Sequence, residues 1–115
     1  MKYLLQIFIN EASLQAASKT EVEQRMSAFG AYTEALKKAG ILAGGERLQW
    51  SRSATTVQVV NGRTEVLDGP YAETKEQLGG YYLIDVPDLD AALSWAARCP
   101  GASYGTMEVR PIWAM

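Results

Sequence analysis

The order of signals along the chain predicts an α+β fold with one antiparallel sheet, and three observations carry that prediction. Tyr3, Leu5, Ile7 and Ile9 alternate with Leu4, Gln6, Phe8 and Asn10, the period-two pattern of a strand. Val22, Met26, Phe29, Thr33 and Leu36 recur at three-to-four spacing, the pattern of an amphipathic helix. Asn61-Gly62 lies between two β-favouring runs, which is the turn chemistry of a type I′ hairpin.

Each element follows from its residues. The first strand carries apolar residues on both faces over part of its length, so it belongs in the middle of a sheet. Thr20 followed by Glu23 has capping-box spacing at the start of the long helix, and Gly40 ends it. Ala28, Ala31, Ala35 and Ala39 raise its helix propensity and allow close packing. Gly44-Gly45 reads as a turn, after which Leu48 to Ser53 and Ala54 to Val60 read as extended, and Arg63 to Val66 completes the hairpin. Thr74 with Gln77 has capping-box spacing again, so Thr74 to Leu78 is expected to form one helical turn closed by Gly79. Tyr81 to Val86 reads as a strand. Asp88 caps a second helix whose apolar face is Leu89, Ala92, Leu93 and Ala96, and Cys99-Pro100-Gly101 stops it. Thr106 to Ile112 supplies the last strand, with Met107 and Val109 facing opposite to Glu108 and Arg110. The order reduces to βαββαβ, a ferredoxin-like arrangement with the helices on one face of the sheet. The other face then carries too much apolar surface to remain wet. A second copy packed sheet against sheet is the expected cover, giving a homodimer in the form of a dimeric α/β barrel.

Composition bounds the function. A chain of 115 residues is read as one domain spanning 1–115, able to bury about 65% of its unfolded surface without a metal or disulfide. The apolar fraction is 48% and the charged fraction 21%, which is ordinary for a globular protein. With a net charge of −2 there is no basic field, so direct nucleic-acid binding is not expected. The Tyr3 to Ile9 run is too short for a membrane span or signal segment, and the single cysteine fits a reducing compartment; the expected location is the cytoplasm, with no membrane contact. The chain contains no histidine. That removes imidazole base catalysis, the Ser-His-Asp and Cys-His mechanisms, and nearly all zinc sites, so no metal, cofactor or catalytic residue is assigned.

The candidate site is the run Asp68-Gly69-Pro70-Tyr71-Ala72-Glu73-Thr74-Lys75-Glu76, which closes on Gly79-Gly80-Tyr81. Gly and Pro shape a loop, so its charged side chains are expected to point in definite directions. Asp68 is read either as a ligand contact or as a turn cap, and Lys75 beside Glu73 either as an anion anchor or as a surface ion pair. Glu108 and Arg110 share one face of the last strand, which makes Arg110 a carboxylate or phosphate anchor if that strand is central and a solvated residue if it is an edge. Tyr81 offers an apolar body with a hydroxyl tip. The expected ligand-binding set is thus Asp68, Glu73, Lys75, Tyr81, Glu108 and Arg110.

The stretch DGPYAETKEQLGGYYLIDV, with the downstream VPDLDAALSWAARCP and MEVRPI, resembles the DGPF-domain branch of the YCII-related proteins, Tyr71 standing where that branch usually has Phe. The resemblance implies a dimeric ferredoxin-like α/β barrel. It implies no settled activity. Some relatives in the wider superfamily are small enzymes thought to use a His-Asp pair, which this chain lacks, and some family members adjoin extracytoplasmic-function sigma factors. Two functions follow as expectations: binding of a small metabolite in a cleft bordered by the Asp68–Lys75 loop, or regulation through a partner such as a sigma factor.

Overall fold

A computed structural model describes residues 1–114. Six strands and four α-helices run in the order β1 (Lys2–Ile9), α1 (Glu11–Ala16), α2 (Lys19–Lys38), β2 (Leu42–Arg47), β3 (Thr55–Val60), β4 (Arg63–Asp68), β5 (Gln77–Asp85), α3 (Leu89–Arg98), α4 (Gly101–Tyr104) and β6 (Thr106–Pro111). A 3₁₀ turn, Ser51–Ser53, precedes β3. Strands β2, β5, β1 and β6 form an antiparallel sheet in that order, the ferredoxin-like arrangement expected, with β1 central as its two apolar faces require. The helices cover one face. Tyr3, Leu5, Ile7 and Ile84 of the sheet are buried there against Tyr32 and Leu36 of α2 and Ala92 and Ala96 of α3. The molecule is a slab 19 Å thick against 47 Å and 44 Å in its other directions, the depth of one sheet and one helix layer.

The hairpin is the first correction. β3 and β4 pair with each other in a separate two-stranded sheet, and the second strand of the main sheet is β2. Gly44 and Gly45 therefore lie within a strand rather than a turn. A Cβ on Gly45 would sit 2.9 Å from the Tyr81 carbonyl oxygen and 2.9 Å from the Tyr82 ring, and one on Gly80 would sit 2.8 Å from the Glu46 carbonyl oxygen. These glycines permit close approach of β2 to β5, the other reason a strand contains glycine. The turn itself is as expected, with Asn61 at φ 51° and Gly62 at φ 75°.

Helix ends show the same competition between local signals. Ser18, not Thr20, caps α2, its side chain accepting from the Glu21 amide. The Gly40 amide donates to Lys37 and the Ile41 amide to Leu36, so Gly40, at φ 73°, ends α2 in a Schellman motif. Asn10 caps the short α1, for which the sequence reading has no element. Asp88 caps α3 as expected. The row that α3 presents to the core is Ala92 and Ala96, continued by buried Cys99, while Leu89 and Leu93 stay 47% exposed. Small residues win this contact because they let the helix lie close to the sheet. Residues Thr74 to Leu78 form no helical turn. Thr74 Oγ1 donates to the Glu76 carbonyl oxygen, the Gln77 side chain donates to the Thr74 carbonyl oxygen, and β5 begins at Gln77. The Leu48–Ser53 segment is coil followed by the 3₁₀ turn rather than a strand.

Candidate functional site

A partly open pocket of about 210 Å³ lies between the helix-side face of the sheet and α2. Ile7 and Ile9 of β1, Gly79 and Gly80 of β5, and Met26 and Phe29 of α2 make its apolar walls, and Leu14 of α1 and Tyr104 of α4 close its ends. Two local features open this space. The register of β1 against β5 shifts between Ile7 and Phe8, leaving Gly79 as the bulged residue, and bulges recur beside functional sites. Glycine there also leaves room, since a Cβ on Gly79 would lie 3.0 Å from Ile9 Cδ1. Gly101 and Gly105 hold α4 against β1, because a Cβ on them would meet Ile7 Cγ2 at 2.7 Å and the Phe8 carbonyl oxygen at 2.2 Å. That close seat sets Tyr104 at the cavity.

Half-buried Tyr82 and Tyr104 line the pocket, buried Tyr32 lies against Tyr82, and the three hydroxyls differ. Tyr32 donates to the Trp95 carbonyl oxygen at 2.7 Å. Tyr82 lies edge-on to the Tyr32 ring, 5.3 Å between centroids, with its hydroxyl 2.7 Å from Thr33 Oγ1. Thr33 gives its proton to the Phe29 carbonyl oxygen, so the Tyr82 hydroxyl is the donor in that pair. Tyr104 packs edge-on to Phe29, and its hydroxyl is buried with no hydrogen-bond partner among the described residues. Burial raises the pKa of all three phenols; at Tyr104 the Arg25 charge opposes the rise and Cys99 adds to it. Each remains a hydrogen-bond donor at neutral pH.

The charged groups at the cavity are Arg25, Arg47 and Glu46. The Arg25 guanidinium stands 4.3 Å from the centroid of the Tyr104 ring, a cation–π contact. Among the described residues neither arginine has a carboxylate within ion-pair distance. Next to this cavity, and sharing Ile9, Leu14, Arg47 and Gly79 with it, is an open mouth of about 380 Å³ also lined by Glu11 and Leu48–Trp50. Glu11 ties the mouth together. Its carboxylate accepts from the Ser51 amide at 2.8 Å and from the Ser51 hydroxyl, and its own amide donates to the Gln77 side chain at 3.0 Å.

The six residues expected to bind a ligand are not gathered in one place. Tyr81 lines the pocket between the sheet and α2. Asp68, Glu73 and Lys75 are exposed along the hairpin end and loop, and among the described residues none is in an ion pair. The loop path is held by the backbone of Gly69, at φ 103°: its amide donates to the Ala54 carbonyl oxygen at 2.7 Å and its carbonyl accepts from Thr56. The loop does border a cleft, a broad open one of about 860 Å³ lined by Pro70, Tyr71, Ala72 and Thr74 together with Phe8, Trp50 and Leu78. Glu108 and Arg110 lie on β6, an edge strand, and pair with each other at 3.6 Å with exposed side chains, which is the solvated alternative. Sequence reasoning missed Arg25, Arg47, Glu11 and Tyr104. Arg25 had a usable signal, since it sits three residues after Val22 and four before Phe29, a cation within the apolar stripe of α2.

Comparison with known proteins agrees with this architecture. The family model described as the YCII-related domain matches residues 1–115. A protein of Rhizobium meliloti (strain 1021), named only as uncharacterised, is 41% identical over 114 residues, covering 97% of this chain and 92% of its own. The 5-chloro-2-hydroxyhydroquinone dehydrochlorinase of Burkholderia phenoliruptrix AC1100, solved in complex with 2,5-dihydroxybenzoquinone, superposes with a TM-score of 0.57 at 18% identity, covering 98% of this chain and 94% of that one. At that identity the likeness is one of fold.

Proposed function

We propose, from the premise that the chain belongs to the YCII-related domain family, that it binds a small metabolite in the pocket between the sheet and α2. The observation that carries this reading is the apolar space of about 210 Å³ between the sheet and α2, bordered by Arg25 and by Tyr104, whose hydroxyl is buried and, among the described residues, unpartnered. The dehydrochlorinase complex adds that a protein of this fold accommodates a single oxygenated ring. The Asp68–Lys75 loop borders the open cleft instead, through Pro70, Tyr71, Ala72 and Thr74, while Asp68, Glu73 and Lys75 are exposed beside it without lining it. In the same proposal the protein is a cytoplasmic homodimer. Leu4, Phe8, Leu78 and Leu83 leave the uncovered sheet face apolar and only half-buried, and one cysteine suits a reducing compartment. Among the described residues no helix is long and apolar enough to cross a membrane.

A thermal-shift screen of a metabolite library tests the site, since a ligand that binds the folded state raises Tm. Hits are expected that stabilise the wild type and not Met26→Trp, in which the indole fills the cavity. Hits that stabilise both proteins equally place the ligand elsewhere and overturn the assignment.

A second reading, regulation through a partner such as an extracytoplasmic-function sigma factor, draws support from the hairpin. Val57, Val59 and Val66 share one face of β3–β4 and are 59%, 69% and 59% exposed, an apolar strip of the kind that marks interaction surfaces. Co-purification from the native cell with and without Val59→Asp tests it. A sigma factor captured by the wild type and lost in the variant is the expected result, and recovery of the homodimer alone contradicts it.

A further inference from the structure

The pocket between the sheet and α2 has a shape and a charge as well as a place. A dry apolar cavity of about 150 Å³ accepts benzene. The pocket here, at about 210 Å³, therefore has room for one six-membered ring with a few substituent atoms. Phe29 and the face of Tyr104 favour a flat, apolar body. At the boundary, the guanidinium groups of half-buried Arg25 and exposed Arg47 and the one carboxylate of exposed Glu46 leave a net positive charge beside an apolar space, which suits an anion that can make charge-assisted hydrogen bonds. Arg25 is half-buried and stacked, so its planar fork is already oriented. With the Tyr32 and Tyr82 hydroxyls engaged, Tyr104, which borders the pocket, carries a buried hydroxyl that is unpartnered among the described residues.

We propose that the ligand is a single-ring organic acid, its anionic head paired with Arg25 and Arg47 and a ring oxygen substituent or head-group oxygen accepting from Tyr104. This rests on the reading of the pocket between the sheet and α2 as the ligand site. It commits to a charge and a size that the reading alone does not require.

Four probes separate the terms when titrated calorimetrically into the full chain: benzoate, benzyl alcohol, acetate and 2-naphthoate. Benzoate is expected to bind, with benzyl alcohol and acetate each about tenfold weaker or worse, because one lacks the charge and the other the ring. 2-Naphthoate, with the same charge and a second fused ring, is expected to bind more weakly than benzoate, and binding as tight as benzoate's overturns the single ring. Arg25→Gln should bring benzoate down to the level of benzyl alcohol, and Tyr104→Phe should weaken benzoate less, both with unchanged circular dichroism. Benzyl alcohol binding as well as benzoate overturns the acid while leaving the cavity reading in place. Benzoate binding that survives Met26→Trp overturns the cavity itself as the ligand site. If none of the four binds, the class is wrong, and the metabolite screen decides the cavity reading separately.

Discussion

The cavity under α2 and the hairpin with its Asp68 loop are built in opposite ways. The hairpin and loop are shaped by their own residues, with Asn61-Gly62 at the tip and Gly69-Pro70 at the base, and they leave Val57, Val59, Val66, Leu67 and Tyr71 in solvent. The cavity has no local signature. Its walls come from residues 7–9, 25–29, 45–47, 79–82 and 104, which only the sheet register and the docking of α2 and α4 bring together. Turn chemistry thus marks where a backbone is shaped, whereas a pocket is made where distant elements fail to fill the space between them.

The largest effects should come from the layer that encloses the cavity. Leu36 is fully buried at the α2–sheet contact, and Leu36→Ala is expected to cost about 2–5 kcal/mol in urea unfolding. Val59→Ser, on the exposed face of the hairpin, should change the unfolding of an isolated protomer by no more than about 0.5 kcal/mol. A larger loss at Val59, growing with protein concentration, would show that a second copy covers the hairpin and would narrow the contrast between the regions.

Of intermediate size are the tyrosine hydroxyls. Tyr32→Phe removes a hydrogen bond to the Trp95 carbonyl and should cost about 0.5–1.5 kcal/mol. Alkaline titration reads the same cluster. The folded pKa values of Tyr32, Tyr82 and Tyr104 lie above the ordinary value of 10.0, so the unfolded chain releases these protons first. Their contribution is therefore complete below pH 10 and is lost as pH rises through the folded values. Tm measured across this range should fall for the wild type and fall less for Tyr82→Phe. The smallest expected effect lies at the hairpin tip, where Gly62→Ala places a Cβ at positive φ and should speed amide exchange in β3 and β4 while leaving β1 unchanged.

Legibility in the sequence follows the same division. The central position of β1, the Gly40 stop, the Asp88 cap and the Asn61-Gly62 turn were all readable, since each depends on a few adjacent residues. Strand β2 was not, because Gly44-Gly45 satisfies turn chemistry as well as it satisfies close packing against β5. The Thr74-Gln77 pair misled for a related reason: both side chains do bond to local backbone, but in an extended path. Of the site, Tyr81 and the family motif were legible. Tyr104 was not, since its unmet hydroxyl is a property of the packed protein.

Tyr104→Phe tests the central claim most directly. A hydroxyl that is buried and unpartnered costs the free protein its desolvation, so the account predicts an unchanged or raised Tm without ligand. It predicts in addition a smaller Tm rise on adding benzoate than the wild type shows. A fall in the ligand-free Tm as large as that of Tyr32→Phe, with the benzoate response intact, would contradict it, because Tyr104 would then serve the fold and not the ligand.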